Sequence, residues 1–526
     1  VLPKRNIGLI GVTLASVGSM IGSGWLFGPL YAAQMAGPAS ILSWFLGGFF
    51  FIFIVLVFSE LSSMFPIMGG LTSYSFFSHG KFTGIITGWI YFLCFATIVP
   101  IESLAVVQYS STYFPMLVTS NSLGKHELST IGYFAAAIIL FIMIFVNRYS
   151  IKLLTRTNSI ATIWKVLVPL LIAFAFIFSS QSNYNNLTQY DGFAPYGIQG
   201  IMASLSVGGI IFAFGGFQSG IILAGETKNP QRNIPLATIS SLFIVTILYV
   251  LIQTAFVVAV PDTSLAQGWS QLNFVGDLGP FAGLAIAAGF TILCALLYID
   301  AVVSPFGSGL IMTSTTARVM HGLGTIDAAP KFVTKLNKHG SPENSLWLSF
   351  AVGLILIFPF PGWKEMVTFL TSSYVVTLSV TPIALVVLRD KYPELKRPFK
   401  LPFFKFISLI AFCICGLMMH WIGFTVLIKL TCIIILFVGI YSIVLYQKRR
   451  SLIKTLDLKS SSWIFVYLTG FTIINYFSKF GNGTGQLSTI NSNIIAILFS
   501  LFVFFFACKI SLKRQQIIKN IDEVKK

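Results

Sequence analysis

Gly18-Ser19-Met20-Ile21-Gly22-Ser23-Gly24-Trp25 stands in the middle of an apolar run that extends from near residue 7 to near residue 34. Glycine costs about 1 kcal/mol in a helix interior, so a cluster of glycines marks backbone that can leave helical geometry. At membrane depth the groups released by such a break need partners, and a break is tolerated only where it lines a cavity or meets a ligand. A second stretch of the same character, Phe212-Ala213-Phe214-Gly215-Gly216-Phe217-Gln218-Ser219, interrupts the sixth apolar run. Either cluster taken alone would also suit close helix–helix packing of the small-xxx-small kind.

The surrounding chain is a membrane chain. Of its 526 residues 56% are hydrophobic and 10% charged, against about a quarter charged in soluble proteins, so a soluble multidomain enzyme is excluded. A hydrocarbon core of about 30 Å needs about 20 apolar residues in helix. Such runs fall near 7–34, 39–64, 83–113, 130–147, 157–179, 200–224, 236–260, 281–316, 345–361, 366–388, 406–427, 429–446, 462–478 and 491–508. Fourteen spans with both termini cytoplasmic place 29 of the 34 Lys and Arg residues inside. Only Lys125, Lys364, Lys429 and Lys479 are left outside and Lys165 within a span, the asymmetry that cytoplasmic loops impose. The formal charge of +18 therefore reads as topology; it favours anionic lipid headgroups, not nucleic acid.

No connection is long enough to hold a soluble domain; the longest cytoplasmic ones are 319–344, 389–405 and 447–461. No cleavable leader is expected either, because Lys4 and Arg5 precede an apolar segment without a small-residue cleavage site. The six cysteines (Cys94, Cys294, Cys413, Cys415, Cys432 and Cys508) all lie in apolar stretches. Without metal-ligand or disulfide spacing they read as small buried hydrophobes, with no metal and no cofactor expected.

If the first ten spans are two five-span halves, spans one and six correspond, and interrupted spans in matching positions point to a transporter's midplane site. The same segments carry a resemblance. Gly18 to Gly24 resembles the first-helix signature of the amino acid–polyamine–organocation superfamily, and Glu60-Leu61 with Pro66 and Gly69-Gly70 is similar to its second-helix end. Gly225-Glu226-Thr227-Lys228-Asn229-Pro230-Gln231-Arg232-Asn233-Ile234-Pro235 resembles its loop after helix six, and Leu388-Arg389 through Pro393-Glu394-Leu395 to Arg397-Pro398-Phe399 its helix 10–11 loop. Within the superfamily the pattern looks closest to bacterial aspartate/proton symporters. That likeness rests on Ser23 to Phe27, Asp300-Ala301 with Ser304-Pro305, and Ser345 to Phe350 followed by Pro359-Phe360-Pro361.

The resemblance implies a leucine-transporter-like 5 + 5 inverted repeat, the halves being 7–179 and 200–388. Helices 11 and 12 (406–446), an additional pair (462–508) and a basic cytoplasmic tail (509–526) follow. It also implies an alternating-access permease for a small, in the first instance acidic, L-amino acid. The amides of Gly22, Ser23 and Gly24 would bind the substrate carboxylate at a helix N-terminus. Carbonyls near Met20, Phe212 and Gly215 would hold its ammonium group, and the Phe212 ring would close over it unless that ring serves ordinary packing. Lys165 matches a helix-five lysine that replaces the sodium ion of sodium-coupled relatives; it either cycles a proton or is a fixed cation bridging helices one and eight. Glu102, beside Pro100, and Asp300, before Pro305, are the midspan acids. Each is open to a proton-carrying role or to pairing with groups freed by the proline.

Other ionisable residues read as structural: Glu60 as a hydrogen-bond acceptor, Glu226 as a solvated salt-bridge partner, His79 in a cytoplasmic loop and His420 outside the ten-helix core. Gln218 and the hydroxyl-rich tenth span (Ser372, Ser373, Tyr374, Thr377, Ser379, Thr381) suit an amide or a carboxylate equally. Hence aspartate rests on the resemblance alone. No catalytic motif or selectivity-filter pattern is present in the sequence. Protons are the expected coupling ion; exchange and non-transporting sensing of an amino acid stay open, as does the oligomeric state.

Overall fold

A computed structural model describes residues 5–67, 70–120, 126–149, 151–272, 279–358, 362–448 and 457–525. Lys4, Gly69, Lys125, Pro359-Phe360-Pro361, Arg449, Arg450, Lys454 and Lys526 lie outside the described residues, as do the side chains of Lys152, Arg156, Lys448 and Lys525. Among the described residues the regular structure is helical, apart from one short antiparallel hairpin, β1 (Val118–Ser120) and β2 (His126–Leu128), and a parallel bridge between Ile7 and Thr227.

The glycine cluster does break its helix. Helix α1 (Leu9–Met20) stops at Ile21, whose backbone is extended (φ −87°, ψ 90°), and α2 (Gly24–Ala36) begins three residues later. Gly37, at φ +61°, turns the chain into α3 (Ser40–Met64). A short α4 (Leu71–His79) then leads into α5 (Lys81–Ser110), followed by α6 (Thr130–Asn147) and α7 (Ile151–Ile177). The second glycine cluster divides its span further, into α8 (Gly197–Ser206), α9 (Ile210–Phe214) and α10 (Gln218–Ile222). Next come α11 (Pro230–Ala259), α12 (Pro280–Ala287), α13 (Thr291–Thr325), α14 (Glu343–Ile357) and α15 (Trp363–Lys391). The chain closes with α16 (Phe404–Ile422), α17 (Phe424–Lys448), α18 (Leu458–Phe477), α19 (Thr489–Ile510) and α20 (Arg514–Lys525).

Among the described residues nine helices are long and apolar enough to cross a membrane, or ten when the pair bent by 45° at 207–209 counts as one. Two of them, α5 and α15, are buried over almost their whole apolar length and form the centre of the molecule. Peripheral helices turn apolar stripes outward instead. On α7, Ile160, Ile163, Leu167, Leu171 and Phe174 are exposed at helical spacing, a surface that water would not tolerate and lipid would cover.

Three expectations need correction. The eighth span is not continuous: Gly289, at φ +69°, separates α12 from α13, a turn that glycine adopts without steric cost. His79 ends helix α4 and is buried, its imidazole meeting Ser78 Oγ at 2.8 Å and the Ala507 carbonyl at 3.1 Å. Nor are all cysteines buried, since Cys432 is exposed.

Candidate substrate and coupling site

Ending α1 early leaves carbonyls without their usual partners. Gly22 N donates to Met20 O (3.2 Å) rather than to Gly18 O, four residues back. The freed Gly18 carbonyl is met by the Lys165 ammonium from α7. Lys165 is wholly buried and lies beside Gly307 of α13, where a Cβ would stand in ordinary contact, 3.5 Å from Nζ. It thus ties α7 to the end of α1, and its charge bears on both Glu102 and Asp300. No N···O contact within 4 Å ties it to either acid among the described residues.

At the other lip of the break, α2 starts with free amides and the positive end of its dipole. The Ser23 amide donates to Glu102 Oε2 (2.8 Å). The other carboxylate oxygen of Glu102 lies where a Cβ on Gly22 would be, beside Ser308. Ser23 Oγ accepts from the Trp363 indole (2.7 Å). Of the amides assigned to substrate carboxylate, that of Ser23 therefore faces Glu102, while that of Gly22 faces Met20 O. Gly24 packs instead on Ala213 and Phe212.

The second break lies against the first. Ser19 Oγ donates to Gly216 O (2.7 Å) and Ser16 Oγ to Phe217 O (3.3 Å). Of the carbonyls assigned to the ammonium group, Met20 O accepts from Tyr249 OH (2.6 Å), Gly215 O from Tyr374 OH (3.0 Å), and Phe212 O from Gly215 N (2.9 Å). Met20 O, which also takes the Gly22 amide, is thereby filled, whereas a carbonyl with a single donor keeps a lone pair for another. The Phe212 ring is turned inward, edge-on to Trp363 at 5.8 Å. Gln218 Oε1 stands 2.5 Å from the same Tyr374 hydroxyl, whose one proton serves either this oxygen or Gly215 O, and its Nε2 is buried without a partner among the described residues.

Asp300 lies apart from Glu102. Its Oδ2 accepts from the Trp25 indole (3.1 Å) and Ser304 Oγ (2.8 Å), and the Trp164 indole of α7 also acts on this carboxylate. This acid joins α13 to the first turn of α2. Tyr249, Trp363 and Ser308 carry no local motif. The one sequence signal was a polar tip in an apolar span, which must find a partner when buried.

The acids read as structural prove more deeply buried than expected. Glu60 accepts from Arg389 Nε (2.7 Å) and NH2 (2.5 Å) and from Leu401 N (2.8 Å), tying α3 to the α15–α16 loop. Glu226 is not solvated: Arg318, 2% exposed, donates Nε to its Oε1 at 2.8 Å. Removing one member of a buried pair strands the other charge, at about 3–5 kcal/mol. We expect Arg318→Met and Glu226→Gln each to lower the unfolding midpoint strongly, and the double variant to recover part of the loss. Fluorescence-detected size-exclusion after heating measures it; additive losses would refute the pairing.

The chain matches the family model for amino acid permease over residues 7–427. It is 36% identical to the "Glutamate/serine transporter AimA" of Bacillus subtilis (strain 168), over 91% of this chain and 88% of that one. It is 32% identical to the "Aspartate-proton symporter" of the same organism, over 96% of each. The "Methylthioribose transporter" of that organism is similar at 27% identity, over 86% of this chain and 95% of that one. The chain therefore belongs to the amino acid permeases of the amino acid–polyamine–organocation superfamily, multi-pass transporters of the cell membrane rather than enzymes.

Proposed function

We propose that this permease moves a small L-amino acid by alternating access, coupled to protons, with serine, glutamate and aspartate as the first substrates to test. The observation that carries this reading is the meeting of two unwound helices, with Lys165 on a carbonyl freed by the first break and Glu102 on the amide that restarts it. Backbone amides and carbonyls at one junction suit the two ends of an amino acid. The named substrates of the two relatives above 30% identity all have an oxygen on the side chain, and the unpartnered Gln218 Nε2 would satisfy such an acceptor. Lys165, Glu102 and Asp300 are the proton-coupling groups in this reading, and the substrate groups are those around Met20, Gly22, Ser23, Gly24, Phe212, Gly215 and Gln218.

The same reading takes the chain as fourteen spans with cytoplasmic termini, the first ten forming the inverted repeat. The turn at Gly37 divides the 41-residue stretch Gly24–Met64 into α2, the second half of the first span, and α3, the second span.

Counterflow in liposomes decides the function. Reconstituted protein loaded with each of a panel of unlabelled amino acids should accumulate labelled serine, glutamate or aspartate. Empty vesicles should accumulate the same label when an inward proton gradient is imposed. Strict dependence on internal substrate would make the chain an exchanger, and no flux with any amino acid would leave only a sensor.

A further inference from the structure

The place assigned to the substrate's carboxylate is held by one of the chain's own. Glu102 Oε2 accepts from the Ser23 amide at 2.8 Å, and its carboxylate presses on Gly22 and Ser308. We infer that Glu102 and the substrate's α-carboxylate compete for the amino end of α2, so that a proton on Glu102 is what admits the substrate. This rests on the permease reading above and gives it a coupling step.

Two carboxylates cannot share one helix N-terminus inside a low-dielectric site; like charges in contact are destabilising there by far more than in water. A neutral carboxylic acid gives up the Ser23 amide cheaply, because its hydrogen bond lacks the charge assistance of a carboxylate. Proton and substrate then enter together, and the proton leaves when the substrate does. The groups facing Glu102 permit this. Lys165 acts on it from α7 and the Tyr249 phenol from α11. From α13 come Ser308 and, through Lys165, Asp300. From α6 and α14 come the apolar Met143 and Gly353, while α4 and α15 bond to α5 nearer its start, at Thr87 and Tyr91.

Binding of labelled serine, glutamate and aspartate to the purified full chain, measured against pH, tests the inference. Wild-type affinity should weaken about tenfold per pH unit over part of the range from about pH 5.5 to about pH 8, the slope for one obligatory proton. Glu102→Gln should bind with the wild-type's low-pH affinity at every pH. Glu102→Ala, which removes the competitor outright, carries the same expectation should one variant fail to fold. Either variant keeping the wild-type slope, or a flat wild type, overturns the inference while leaving the permease intact. A carboxylate that merely caps α2 would lower the unfolding midpoint when replaced without flattening that slope. No binding of any of the three, with no flux in the liposome panel, overturns the permease reading itself.

Discussion

Lys165→Ala should abolish proton-driven accumulation, with initial uptake at low external pH falling by about 100-fold or more. The reason begins at the first break. Turning Gly22 N toward Met20 leaves Gly18 O without a helical donor, and a bare carbonyl at membrane depth costs several kcal/mol. Lys165 supplies the missing donor and places a positive charge at the carboxyl end of α1, where the dipole favours it. Its charge also offsets those of Glu102 and Asp300. Alanine removes all three effects together. Wild-type uptake should fall as external pH rises, because the proton is a co-substrate; the variant's residual uptake should be flat. Lys165→Met keeps most of the volume and separates packing from charge. If methionine restores expression but not the pH profile, the lysine is a coupling group. An unchanged profile in either variant would sink the coupling role.

How far this site was legible depends on whether its chemistry is local. The two breaks could be read because glycine clusters act on their own backbone, and α1 and α9–α10 interrupt where the glycines stand. Lys165, Glu102 and Asp300 stood out because charge inside an apolar run is costly wherever it points. Their partners were hidden. Tyr249 reaches Met20 O across 229 positions and Trp363 reaches Ser23 across 340, distances over which a linear pattern carries no signal. The same blindness made Glu226 look solvated, since its partner Arg318 is 92 positions away inside α13. The break between α12 and α13 was missed for a different reason: Gly289 stands alone in an apolar run, and a single glycine does not distinguish a turn from a tolerated helical residue.

Gly216→Ala should be strongly damaging. A Cβ on Gly216 would fall 2.5 Å from Met20 N and 2.6 Å from Ser19 O. These are backbone atoms of the first break and cannot swing aside as a side-chain end can. To relieve the clash, α1 and α9–α10 must part, which breaks the bond from Ser19 Oγ to Gly216 O (2.7 Å) and strains that from Ser16 Oγ to Phe217 O (3.3 Å). Overpacking of this kind costs about 1–3 kcal/mol before any lost hydrogen bond, each worth about 1 kcal/mol more. Gly24→Ala makes the useful contrast, because its Cβ would meet the Ala213 side chain at 3.1 Å, a contact that a small shift relieves. Gly439, with nothing among the described residues within 4 Å of its Cβ, should tolerate alanine with no loss or a gain of about 0.5–1 kcal/mol. Unfolding midpoints should therefore rank Gly439→Ala highest, Gly24→Ala next and Gly216→Ala lowest. Transport per folded molecule should vanish in Gly216→Ala alone, because separating the breaks also removes the junction where amides and carbonyls converge. A Gly216→Ala protein of wild-type stability and flux would show that the two broken helices do not touch in the working transporter.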